Sequence, residues 1–136
     1  MDKRKVLIVD DEMDMRIFLK TLLETSGYQP HVTRDGSEGL QKAREILPDL
    51  IILDVMMPGE GGPQTYRQLR MDRELASIPV IMLSGVKQDS FYHYLKMLNA
   101  GTSRRIPLPA AYFEKPVNHK DLLKAIRAVL EPGAED

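Results

Sequence analysis

Three short apolar runs constrain this chain more than any other feature. Val6-Leu7-Ile8-Val9, Leu50-Ile51-Ile52-Leu53 and Val80-Ile81-Met82-Leu83 are continuous, rich in branched side chains, and each stops at a polar residue: Asp10, Asp54 and Ser84. A strand without polar alternation is buried on both faces, which is the condition of a parallel sheet covered by helices. The chain therefore has to supply helices between its strands.

It does so. Phe18, Leu19, Leu22 and Leu23 recur at helical spacing, with Gly27 where a helix C-terminus belongs. Leu40, Ala43, Ile46 and Leu47 form a second stripe, stopped by Pro48. Gly59, Gly61 and Gly62 make a loop, and Pro63 opens a helix that continues through Tyr66, Leu69 and Arg70. Phe91, Leu95 and Leu98 mark a fourth helix whose apolar positions belong to the core, whereas Tyr92, His93 and Tyr94 cannot all face inward. The fifth is clearest: Asn118 as cap, Asp121 near the N-terminus, then Leu122, Leu123, Ile126, Val129 and Leu130 up to Pro132. Weaker strands are expected near Gln29 to Thr33 and Ala111 to Glu114, and Asn99 to Ala110 reads as a long loop. Strand and helix alternate five times, which points to a doubly wound α/β sheet with helices on both faces. Residues 1–131 are expected to form this domain and residues 132–136 a short polar tail.

Composition narrows the function. Nineteen Lys and Arg oppose twenty Asp and Glu, giving a net charge of −1, and Lys3-Arg4-Lys5 is the longest basic run, so direct nucleic-acid binding is not expected. The absence of cysteine excludes disulfides, thiol chemistry and thiolate metal sites. No apolar stretch approaches the roughly 20 residues of a membrane-spanning helix, and no signal-peptide core is present, so membrane insertion is not expected and a cytoplasmic location is. His31, His93 and His119 are scattered without ligand spacing and read as surface or turn residues.

In open α/β sheets ligands sit beyond the carboxyl ends of the strands. Asp10, Asp11 and Glu12 follow the first strand, Asp54 the third, Ser84 the fourth and Lys115 the expected fifth, so all should meet at one rim. Carboxylates held together stay ionised with a cation among them, and an all-oxygen set favours Mg²⁺ or Mn²⁺. Each piece has a plainer explanation. An acidic run starts helices, a Ser makes turns, a lone Lys is solvated. Together they suggest phosphoryl transfer: a carboxylate to attack phosphorus, and a hydroxyl and an ammonium to hold its oxygens.

Val9-Asp10-Asp11-Glu12, Leu53-Asp54-Val55-Met56-Met57-Pro58-Gly59, Met82-Leu83-Ser84-Gly85 and Glu114-Lys115-Pro116, in that order, resemble the signatures of two-component response-regulator receiver domains over almost the whole chain. The resemblance implies a stand-alone, chemotaxis-regulator-like fold: flavodoxin-like, a five-stranded parallel sheet in the order 2-1-3-4-5. It implies Asp54 as phosphoacceptor, Asp11, Asp54 and the Met56 main-chain carbonyl as Mg²⁺ ligands, and Asp10 acting on the metal through water. Lys115 and Ser84 would hold the phosphoryl oxygens, Ser84 and Tyr112 would form the switch, and Lys115-Pro116 would be cis. The donor would be a sensor histidine kinase or a histidine phosphotransfer protein. Output would run through an unidentified target protein, with phosphorylation-linked homodimerisation as an option. Such a domain catalyses only its own phosphorylation and dephosphorylation.

Two departures stand out. Gly85 replaces the family's usual Ala after Ser84, and the span from Ser84 to Tyr112 exceeds the family's length by about two turns of helix. The segment from Phe91 to Pro109 is accordingly expected to influence the choice of partner or dimer arrangement. Met56, apolar beside the phosphoacceptor, is expected to slow hydrolysis. Two alternatives stay open: a phosphate-independent module of the same fold, and an aspartate-nucleophile phosphatase of the haloacid-dehalogenase kind. The latter needs an Asp two residues after the nucleophile, where this chain has Met56.

Overall fold

The structure, a computed structural model, describes residues 3–54, 62–101 and 105–133. Its elements run β1 (Lys5–Val9), α1 (Met13–Thr25), β2 (Gln29–Thr33), α2 (Gly36–Ile46), β3 (Leu50–Leu53), α3 (Gly62–Met71), β4 (Val80–Ser84), α4 (Gln88–Ala100), β5 (Ala111–Glu114) and α5 (His119–Leu130). The five strands form one parallel sheet in the order β2-β1-β3-β4-β5. This is the flavodoxin-like arrangement expected from the resemblance. Its order reverses direction around β1 and β3, which is where such sheets open a crevice at their carboxyl edge.

Alternation along each strand sends successive side chains to opposite faces. Val6, Ile8, Leu50, Ile52, Ile81 and Leu83 pack with Leu19 and Leu23 of α1 and with Leu122, Ile126 and Leu130 of α5. Leu7, Val9, Ile51, Leu53, Val80 and Met82 pack with Leu40 and Ala43 of α2, Tyr66 and Leu69 of α3, and Phe91 and Leu95 of α4. Burial on both sides is what makes the central strands read as unbroken apolar runs.

The helix ends follow local chemistry. Asn118 caps α5, its side-chain oxygen accepting from the main-chain N–H groups of Lys120 and Asp121 at 2.8 and 3.2 Å. Asp35 does the same for α2 through Glu38. Gly27, at φ +91°, occupies the left-handed turn after α1 that a Cβ would disfavour.

Several details differ from expectation. Leu47 is not on the buried face of α2. It stands at φ 47° as that helix's cap and is 52% exposed, because Pro48 bars the α-helical conformation from the residue before it. Phe18 is also more exposed than its stripe implied; Leu19 and Leu23 are the residues α1 buries. Helix α3 starts at Gly62, one residue ahead of Pro63. His31 lies within β2, half-buried, not in a turn.

The loop expected from Asn99 starts later, since α4 continues through Ala100 and closes at Gly101. Asn99 does not turn back on its own helix. Its amide accepts from the Ile106 N–H at 2.7 Å and donates to the Ile106 carbonyl at 3.0 Å. Tyr66 of α3 donates its hydroxyl hydrogen to the Pro107 carbonyl at 2.6 Å, and Ala110 N–H bonds to the Val80 carbonyl at 2.8 Å. Residues 105–110 thus form a strap, with Ile106 buried among the side chains of α3 and α4. Of the aromatic run, Phe91 is buried, Tyr92 half-buried, and His93 and Tyr94 exposed.

Candidate functional site

The carboxyl ends of β1, β3, β4 and β5 bring the expected residues together. Asp10 directly follows β1 and Asp54 directly follows β3; both are buried, and their main chains are tied to neighbouring strand ends, Asp10 N–H to the Thr33 carbonyl and Asp54 N–H to the Val9 carbonyl. Ser84 is the last residue of β4 and is fully buried. Lys115 follows β5, its N–H bonded to the Ser84 carbonyl at 2.8 Å, and the peptide bond to Pro116 is cis.

The Lys115 ammonium lies at the focus of the site. Its Nζ is 2.6 Å from Glu12 Oε1, 3.1 Å from Asp10 Oδ2 and 3.4 Å from Asp54 Oδ2. Burial alone would depress the Lys115 pKa, but the Glu12 hydrogen bond and the charges of Asp54 and Asp10 outweigh it and hold the pKa above its ordinary value. Asp10 is raised for the complementary reason: burial penalises its charge more than the Glu12 N–H bond and Lys115 relieve it. Its Oδ1 accepts that N–H at 2.9 Å, while Arg16 Nη1 donates to the Asp10 carbonyl at 2.9 Å.

Among the described residues, Asp10, Glu12 and Asp54 bring carboxylate oxygens within 4.8 Å of one another. An all-oxygen group of this kind could hold a hard divalent cation such as Mg²⁺ or Mn²⁺. Asp11 is not in that group and is exposed at the rim. Met56, whose carbonyl completes the ligand set implied by the resemblance, lies outside the described residues.

Ser84 and Tyr112 meet through the loop between β4 and α4. Ser84 Oγ accepts from the Val86 N–H at 3.1 Å, and the Tyr112 hydroxyl donates to the Val86 carbonyl at 2.5 Å. The Tyr112 ring, half-buried, packs on Phe91 with centroids 5.5 Å apart and edge-on to Tyr92 at 6.0 Å. Burial pushes its phenol pKa up. Phe91 in turn meets Tyr66 edge-to-face at 5.9 Å, so one aromatic cluster links the loop after β4 to the strap.

Residues 6–127 match the response regulator receiver domain family. The chain belongs to that family. Its relatives include Protein PilH of Pseudomonas aeruginosa, 36% identical over 93% of this chain and 97% of PilH. The polar-differentiation response regulator DivK of Brucella ovis is 33% identical over 96% of the chain and 98% of DivK. Among solved structures, the Vibrio cholerae chemotaxis protein CheY4 superimposes with a TM-score of 0.78 at 30% identity, covering 94% of this receiver and 99% of that chain. Receivers are phosphorylation-dependent signalling modules and not classical enzymes, which decides against the phosphatase alternative.

Two features of this receiver's site were not singled out from the sequence. Topology puts Glu12 and Lys115 at one rim, but nothing in the sequence shows that Glu12 is the acid that takes the lysine's shortest contact. Arg16 left no signal at all, because its partner is a main-chain carbonyl.

Proposed function

We propose that this receiver takes a phosphoryl group onto Asp54 from a phosphohistidine, donated by a sensor histidine kinase or a histidine phosphotransfer protein. The observation that carries the reading is the placement of the buried Asp54 carboxylate, 3.4 Å from the Lys115 ammonium at the sheet's carboxyl edge. One Asp54 oxygen attacks phosphorus as the phosphorus–nitrogen bond to the donor imidazole breaks. Lys115 and the Ser84 hydroxyl hold the phosphoryl oxygens, so charge that develops in transfer meets groups already in place. Asp11, Asp54 and the Met56 carbonyl would hold Mg²⁺, or Mn²⁺, with Asp10 supporting it through water; the ion supplies charge neutralisation at the transferring group.

Ser84 gives up its bond to the Val86 N–H to reach the phosphoryl group, which moves the loop that Tyr112 grips and turns Tyr112 further inward. Output then passes to a target protein, or to a second copy of the chain, in the cytoplasm, with residues 1–131 acting as the receiver domain. The segment from Phe91 to Pro109 helps choose that partner through its exposed side chains, Tyr94, Met97 and Leu108. Phe91, Leu95 and Ile106 of the same segment are buried in the core.

Incubation with a small phosphodonor such as acetyl phosphate and Mg²⁺, followed by mass spectrometry of the intact protein, tests the reading. One phosphoryl adduct is expected on the native chain and none on Asp54→Asn. Undiminished labelling of the variant refutes Asp54 as acceptor. No labelling of the native chain favours the phosphate-independent module.

A further inference from the structure

An ammonium has three N–H donors, and Lys115 faces three carboxylates. Its hydrogen-bonding capacity is therefore used up before any phosphoryl group arrives. The three partners differ in character. Asp10 and Asp54 side chains are 3% and 2% exposed, whereas Glu12 is 59% exposed and makes the shortest contact, at 2.6 Å.

Glu12 also stands at the capping position just before α1, and an acidic residue there has an ordinary explanation as a helix cap. That explanation fails on geometry, because the Glu12 side chain makes no capping hydrogen bond. Its main-chain N–H instead fixes Asp10 Oδ1, and its carboxylate is turned to Lys115. One residue thus holds the Asp10 carboxylate with its backbone and the Lys115 ammonium with its side chain.

We propose that Glu12 is a positioning residue for Lys115: it keeps a partner for the ammonium at the mouth of the site whenever a divalent cation takes over Asp54 and Asp10. This rests on the phosphotransfer reading above and deepens it. A divalent cation and Lys115 compete for the same buried oxygens. Where Glu12 is present, the displaced ammonium shifts to a carboxylate it already touches and stays within reach of a phosphoryl oxygen. Where Glu12 is neutralised, displacement strands a largely buried ammonium without a full partner, and an unpaired buried charge is costly. Glu12 therefore makes cation entry easier without having to be a ligand.

The test is Mg²⁺ binding to the full chain, measured by isothermal titration calorimetry and by amide shifts in two-dimensional NMR. Glu12→Gln should weaken Mg²⁺ by about fivefold, the strength of a partly exposed ion pair. Glu12→Asp keeps the charge but shortens the reach, and should weaken Mg²⁺ about as much. In a Lys115→Met background the Glu12→Gln change should have an effect of less than about twofold, because the residue through which it acts is gone. An equal loss with and without Lys115, or full binding by Glu12→Asp, shows that Glu12 acts on the cation by its own charge and overturns the proposal. No change with Glu12→Gln in the native background overturns it as well. These binding measurements stand apart from Asp54 labelling: a chain that binds Mg²⁺ as expected but takes no phosphoryl group would refute the phosphotransfer reading and leave the Glu12–Lys115 relation in place.

Discussion

Truncating Ile106 to alanine tests whether the strap after α4 belongs to the core or merely rests on it. The side chain is 5% exposed and packs into the cluster that contains Tyr66, Phe91 and Leu95. Removing a buried isoleucine down to its Cβ costs 2–5 kcal/mol, and the strap can settle inward only as far as its bonds to Asn99 and Tyr66 allow, so about 3 kcal/mol is expected. For a domain of this size that corresponds to a fall in Tm of roughly 10 °C. Leu108, two residues on and 57% exposed, is the internal control, and Leu108→Ala should stay within about 0.5 kcal/mol of the native chain. Asn99→Ala should cost about 2 kcal/mol, because both the N–H and the carbonyl of Ile106 lose their partner in a part-buried setting. Urea unfolding followed by far-UV circular dichroism gives all three values. Indistinguishable Ile106→Ala and Leu108→Ala curves would refute the seating of the strap.

Two further outcomes follow from packing and ionisation. A Cβ at Gly36 would lie 2.0 Å from the Oγ of Thr65, itself buried, so Gly36→Ala should destabilise by about 1–3 kcal/mol and Thr65→Ala should recover part of that loss; a neutral Gly36→Ala would contradict the close approach of α2 and α3. Tyr28 and Tyr66 are both pushed up to about 12, mainly by burial, and Tyr28 also by its bond to Glu131. Because these folded pKa values lie above that of an unfolded tyrosine, their contribution to stability is present below pH 10 and is lost as pH rises towards 12. Ultraviolet titration should show late ionisation coinciding with alkaline unfolding, with one late phenol fewer in Tyr66→Phe; normal titration of both would refute their burial.

The parts of the fold that were legible in the sequence are those where one physical condition acts on consecutive residues. Val6 to Val9 and Leu50 to Leu53 are covered on both faces, so every position is apolar and the pattern announces itself. The cap at Asn118 and the left-handed turn at Gly27 are similarly local. What escaped was decided by contacts remote in sequence. The extent of α4 and the path of residues 105–110 depend on Tyr66 reaching a carbonyl 41 positions away, and a main-chain partner leaves no residue type to read. At the site, Asp10, Asp54, Ser84 and Lys115 were legible because each ends a strand, and strand ends converge by topology. The short contact between Glu12 and Lys115 was not, because it is a choice among several acids that only the folded distances settle.

The two cores described above share no side chain, since Val6 and Ile8 face one way and Leu7 and Val9 the other. In evolutionary terms the sheet is a partition. The strap between α4 and β5 lies with α3 and α4 on one side of it, where Ile106 is seated. The layer of α1 and α5 packs on the other. Substitutions in the strap can reshape its own side while the opposite layer keeps its packing, so the two faces are free to diverge at different rates within one small domain.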